Sequence, residues 1–195
     1  MPTSDIDTNL VSNGAPVEGG CCFTSFAASP ALPSDATTAM STLTDFVSLG
    51  ELSDQGYTES KDVETSDFEG WHGTTILSVV NKETNKYKVE FTEVQRAAVL
   101  QLRYGPENVT VDSQTGEVTH VEGKPVGDVT VPLVIDELLA NGRLCRTVVP
   151  KAHITGIDDT AHQRGSLMVY GIEFTALGVG TNLKGFDRYY ATPAA

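Results

Sequence analysis

Three kinds of side chain in this sequence are capable of chemistry: four histidines (His72, His120, His153, His162), three cysteines (Cys21, Cys22, Cys145) and 26 carboxylates. Metal ligation needs such residues at fixed spacings. His153 and His162 flank Asp158-Asp159, a set able to ligate a metal, but without ligand spacing the stretch reads as a solvated turn. Asp112-Ser-Gln-Thr-Gly-Glu117 opens like a calcium loop, departs from it at Gln114 and lacks the distal Glu, so it too reads as a turn. Two adjacent cysteines and a distant third match neither a disulfide framework nor a zinc site. They are expected to be reduced, small apolar strand residues. Gly-x-Ser-x-Gly, the P-loop and His-Glu-x-x-His are absent, and Gly178-Val-Gly180 lacks the third glycine of a dinucleotide fingerprint. Asn108-Val-Thr110 fits a glycosylation sequon that has meaning only on a secretory route. No catalytic residue, cofactor or metal is expected, and the chain does not read as an enzyme.

What stands out instead is negative charge. The formal net charge is -13 and the isoelectric point about 4.5, so free nucleic acid and membrane surfaces are repelled. An acidic wall still suits DNA that must pass without sticking. Between 51 and 70 the acids are Glu51, Asp54, Glu59, Asp62, Glu64, Asp67 and Glu69, with Lys61 as the single base. Such a segment repels itself and buries little, which predicts a long surface loop that lies against a partner. Trp71, the only tryptophan, follows this loop. It is either the loop's core anchor or a contact with a neighbouring subunit.

The elements that must position these residues are mostly strands. At 195 residues the chain fits one domain with arms: an N-terminal arm over 1–16, a β-rich domain over 17–177, and a flexible extension over 178–195. Phe186, Tyr189 and Tyr190 of the extension are available to a neighbour. The N-terminus has neither a basic nor an apolar leader segment, and no stretch has the length of a membrane span, so a cytosolic product is expected. Residues 17–27 read as a strand, and 74–80 and 86–92 as a hairpin around a polar turn at 81–85. Thr92-Glu-Val-Gln95 is a capping box for one helix, 93–104, ended by Gly105-Pro106. Asn141-Gly142 joins two strands. A two-residue loop there would oppose Leu139 to Leu144, Ile135 to Val148, and Glu137 to Arg146 as an ion pair; a short helix over 136–140 is the alternative. Met168, Tyr170, Ile172, Phe174 and Ala176 share one face of the closing strand, within which Gly171 marks a bulge or a close approach.

Two stretches carry a family resemblance over roughly 46–177. The Gly56-Tyr-Thr-Glu-Ser60 strand, the acidic segment, Trp71-His-Gly73 and the strand pair after it resemble, in that order, the major tail tube proteins of long-tailed (siphovirus-like) bacteriophages. Val148-Val-Pro-Lys-Ala-His-Ile-Thr-Gly-Ile157 and Gly165-Ser-Leu-Met-Val-Tyr-Gly-Ile-Glu-Phe-Thr-Ala176 resemble that family's closing strand pair. The resemblance implies a mainly β fold, a β-sandwich or barrel with one packed α-helix, a long acidic loop and extended arms at both ends. It implies a structural virion protein, made in the host cytoplasm, that self-assembles into stacked hexameric rings forming the tail tube, the conduit for DNA ejection. Its partners would be further copies of itself, the tape measure, tail tip and tail terminator proteins, and double-stranded DNA in transit, with no membrane. The candidate inter-subunit contacts are Glu51, Asp54, Tyr57, Glu59, Asp62, Glu64, Asp67, Trp71, Phe186, Tyr189 and Tyr190. The competing reading is a monomeric β-sandwich binding module of carbohydrate-binding or adhesin type, which would stay near 20.8 kDa in solution.

Overall fold

The computed structural model describes residues 11–17, 20–180 and 183–192; most of the expected N-terminal arm, residues 1–10, lies outside them. The strands are β1 (Gly14–Pro16), β2 (Cys22–Thr24), β3 (Val47–Ser48), β4 (Leu52–Glu69) and β5 (Thr75–Phe91). The helix α1 (Ala97–Tyr104) follows, and then β6 (Val109–Val111), β7 (Val118–Val121), β8 (Thr130–Leu139), β9 (Leu144–Ile157), β10 (Tyr170–Ala176) and β11 (Asp187–Ala191). The chain is mainly β, with antiparallel sheets and one short helix, as expected.

The main sheet runs β3-β2-β8-β9-β10-β5-β4, with β1 added beside β8 and β11 beside β9; β6 and β7 form a separate ribbon. Its two end strands, β3 and β4, are joined through residues 49–51, a step of at most about 14 Å. The sheet therefore curls until its ends approach. They do not pair among the described residues, so the arrangement is sandwich-like and not a closed barrel.

Apolar periodicity explains what fills the curl. Leu133 and Ile135 of β8 point into one cluster with Tyr87, Val89 and Phe91, Val99 and Leu102 of α1, and Ile172 and Phe174 of β10. Val134, between them, packs on the opposite face with Val148, Met40 and Phe46. The β8–β9 pair is thus covered on both sides, which is why β8 reads as an unbroken apolar run. On β10, Tyr170, Ile172 and Phe174 are buried in the main cluster and Met168 and Ala176 pack against it, the face expected from the alternation. Gly171 is a close approach: a Cβ there would collide with the Asp158 carboxylate.

Four expectations are corrected. The acidic segment is not a loop but an 18-residue strand, β4, paired with β5 at Leu52 and from Tyr57 to Glu69. Lys82, opposite Glu64, and Lys86, paired with Asp62, supply cations that the acidic strand lacks, and β-branched residues on both strands favour extension. The polar turn expected at 81–85 is strand as well; the chain reverses at 70–74, where Gly73 at φ 72° supplies the left-handed residue. The helix begins at Ala97, not 93, because its intended cap is engaged elsewhere. The Thr92 hydroxyl donates to the Glu51 carbonyl (2.9 Å), and the Glu93 carboxylate accepts the Glu51 amide (2.9 Å). Gly105 ends the helix at φ 87°, as expected.

Fourth, the hairpin at Asn141-Gly142 is offset by one residue. Its loop has three residues, with the Leu139 amide donating to the Arg143 carbonyl and Gly142 at φ 77°. Leu138 therefore opposes Leu144, and Asp136, not Glu137, opposes Arg146. The competing helix over 136–140 does not form. Within the extension, residues 187–191 form β11, hydrogen-bonded to β9.

Candidate functional site: a free-standing β-ribbon and its root

The pairing of β10 with β5 stops at Thr175 opposite Lys86. Beyond it, residues 61–69 and 75–85 pair only with each other, a two-stranded ribbon reaching roughly 30 Å from the body. Direct pairing places Phe68, Leu77 and Val79 on one face; alternation places Val63, Ile76 and Val80 on the other. All six are exposed, and Trp71 at the tip is 99% exposed. A core-anchor role for Trp71 within the subunit is thereby excluded. Along the ribbon the charges are matched by Lys61–Glu83 (2.8 Å) and Lys86–Asp62 (3.1 Å). Glu64 faces Lys82 across the strands, while Asp67 is exposed toward the tip.

At the root, side chains from five strands converge. The Arg188 guanidinium of β11 donates to Glu59 (2.5 Å) and to the Thr147 hydroxyl of β9 (2.9 Å). The Tyr87 hydroxyl donates to the other Glu59 oxygen (3.3 Å), and the Tyr57 hydroxyl to Glu137 of β8 (2.8 Å). Burial, reinforced by the Glu137 charge, raises the Tyr57 phenol well above its ordinary range. Burial and then Glu59 do the same for Tyr87. Both tyrosines therefore remain neutral hydrogen-bond donors. The Phe186 ring stands edge-on to Tyr87, centroids 6.2 Å apart.

Of the residues expected from sequence, the structure brings Tyr57, Glu59 and Phe186 together at this root and strings Asp62, Glu64, Asp67 and Trp71 along the ribbon. Glu51 lies just before β4 and holds Thr92 and Glu93 through its backbone. Asp54 is exposed in the irregular stretch where the β4–β5 register shifts between Leu52 and Tyr57. Tyr189 packs on the Met40–Phe46 cluster. Exposed Tyr190 has the Arg143 guanidinium 5.4 Å from its ring centre. Sequence reasoning missed Arg188, Glu137 and the six apolar ribbon residues. Lys82 and Lys86 of β5, spaced to meet Glu64 and Asp62 of β4, were the available signal for the ribbon.

The Asp158 carboxylate near His153 and His162 is taken by Lys88 (2.7 Å). The Asp112 carboxylate accepts the Gln114 amide (2.7 Å) in the turn between β6 and β7. Among the described residues no group of three or more His, Cys, Asp or Glu is placed to hold a metal, and no helix is long and apolar enough to cross a membrane. No protein of curated function matches the sequence. The model of the phage tail tube protein family matches residues 24–186, a span that contains the whole ribbon and, except for Arg188, its root. The chain belongs to the phage tail tube protein family: it is a structural component of the virion tail, not an enzyme.

Proposed function

We propose that copies of this chain assemble into hexameric rings that stack into the tube of a long-tailed, siphovirus-like phage, through which double-stranded DNA is ejected. The ribbon carries this reading. A two-stranded ribbon standing alone is marginally stable in water, and this one exposes apolar side chains on both faces and a tryptophan at its tip. Such a surface calls for a partner. A second copy supplies one at every position of a tube. Asp62, Glu64, Asp67 and Trp71 on the ribbon, Glu51, Asp54, Tyr57 and Glu59 at its base, and Phe186, Tyr189 and Tyr190 on the C-terminal segment are the proposed contacts. One open sheet edge from each subunit would build a continuous inner wall, turning an aggregation hazard into a joint. Tape measure, tail tip and tail terminator proteins are the further partners.

Negative-stain images of concentrated protein test this reading. Tubes with six-fold end-on views are expected; another symmetry would overturn the ring size, and a uniform 20.8 kDa species would overturn assembly.

A further inference from the structure

We infer that Arg188 is the positioning residue that fixes the angle between the ribbon and the body, so that docking of the C-terminal strand β11 sets where the ribbon tip points. The ribbon loses its sheet partner past Lys86, so its direction is decided by what grips residues 59–61 and 85–87. On one face that grip is loose: Lys86 reaches Glu173 of β10 only at 3.9 Å, and both side chains are about a third exposed. On the other face Arg188 ties three strands at once. Its Nη2 donates to Glu59 of β4 (2.5 Å), its Nε to Thr147 of β9 (2.9 Å), and its own backbone belongs to β11. Glu59 uses its second oxygen to accept from Tyr87 of β5, so both ribbon strands are held through one carboxylate. Phe186 packs edge-on against the same Tyr87, and the Arg188 guanidinium lies 5.4 Å from the Phe186 ring centre.

The Arg188 and Glu59 side chains are 26% and 31% exposed, so solvent and salt screen this charge-assisted pair less than a fully exposed one. The ion pairs farther out, such as Lys61–Glu83, lie within the ribbon and stiffen it without orienting it. Leverage makes the root decisive. On a ribbon of roughly 30 Å, a tilt of about 10° moves the tip by about 5 Å, enough to break a side-chain contact. The coupling is a property of the single subunit and goes beyond the tube reading.

Trp71 is the sole tryptophan and sits at the tip, so time-resolved fluorescence anisotropy of the dilute, unassembled subunit reads the ribbon's motion. In the wild type the ribbon should tumble with the body. In Arg188→Ala the amplitude of nanosecond segmental motion should roughly double, with the circular dichroism spectrum unchanged. If Arg188→Ala does not fold, Glu59→Gln, which preserves side-chain size, decides in the same way. Unchanged anisotropy in a folded variant would overturn the coupling. Because no assembly is involved, that failure would leave the tube reading standing.

Discussion

Asp136 and Arg146 face each other across β8 and β9 and join through two hydrogen bonds of 2.6 and 2.7 Å, with Arg146 only 4% exposed. The same guanidinium donates to the carbonyls of Asp35 (3.1 Å) and Thr38 (2.8 Å). It thereby clamps the segment that covers Val134 and Val148. Removing one partner leaves a buried charge unpaired, so Asp136→Ala should destabilise the subunit by about 3–5 kcal/mol. That corresponds to a fall in Tm of roughly 10 °C. Replacing both residues by apolar side chains should cost less than the two single changes added together. Thermal melts of the three variants measure this; additive losses would contradict it.

This pair also shows how far the sequence could be read. Ile172 and Phe174 were legible because a core face obeys the strand period, whatever the rest of the chain does. The partner of Arg146 was not, because one extra loop residue, Ala140, moves the register by one and puts Glu137 on the opposite face. There Glu137 meets Tyr57 instead. The strand character of the acidic segment is hidden for a related reason: it is supported by Lys82 and Lys86 on the facing strand, and composition within 51–70 does not contain them. Arg188 and Glu59 lie 129 positions apart, and no spacing rule connects them.

Trp71 touches the body nowhere that would shelter it, so Trp71→Ala should leave subunit stability within about 0.5 kcal/mol of wild type while reducing tube formation severalfold. Denaturant midpoints and the sedimenting fraction separate the two effects. A lower midpoint with normal assembly would make Trp71 a stability residue only.

The cysteines give the subunit an alkaline limit. Burial, with Glu51 second, pushes the Cys21 thiol from 9.0 up to about 11, and burial raises Cys22 as well. A raised folded-state pKa means the folded form holds its proton more tightly, so this stabilisation is intact below pH 9 and is lost as pH rises toward 11. Tyr57 and Tyr87, also raised, extend the decline above the ordinary phenol range. Denaturant midpoints should therefore fall from pH 8 to pH 10.5, and iodoacetamide should label the native thiols far more slowly than the unfolded ones. Rapid native labelling at pH 8 would show the thiols to be accessible.

In the proposed six-fold ring, six subunits of charge -13 would carry -78, and a share of it facing inward would repel DNA phosphates. Lysine or arginine on that wall would hold the genome through counterion release at each ring. Lumen-facing side chains should be acidic or small and polar, without an aromatic stacking platform. A reconstruction of the tube that showed a lumen dominated by lysine and arginine would contradict this.

The ribbon is the element on which the account rests, and its amides report on its environment directly. A two-stranded ribbon supported by nothing else opens readily, so in the free subunit residues 61–85 should exchange hydrogen quickly. On assembly a neighbouring copy should cover them, and hydrogen exchange across 61–85 should slow by at least about tenfold while β8 and β9 change little. Equal exchange across 61–85 in the free and assembled protein would mean that the ribbon is not the contact between subunits.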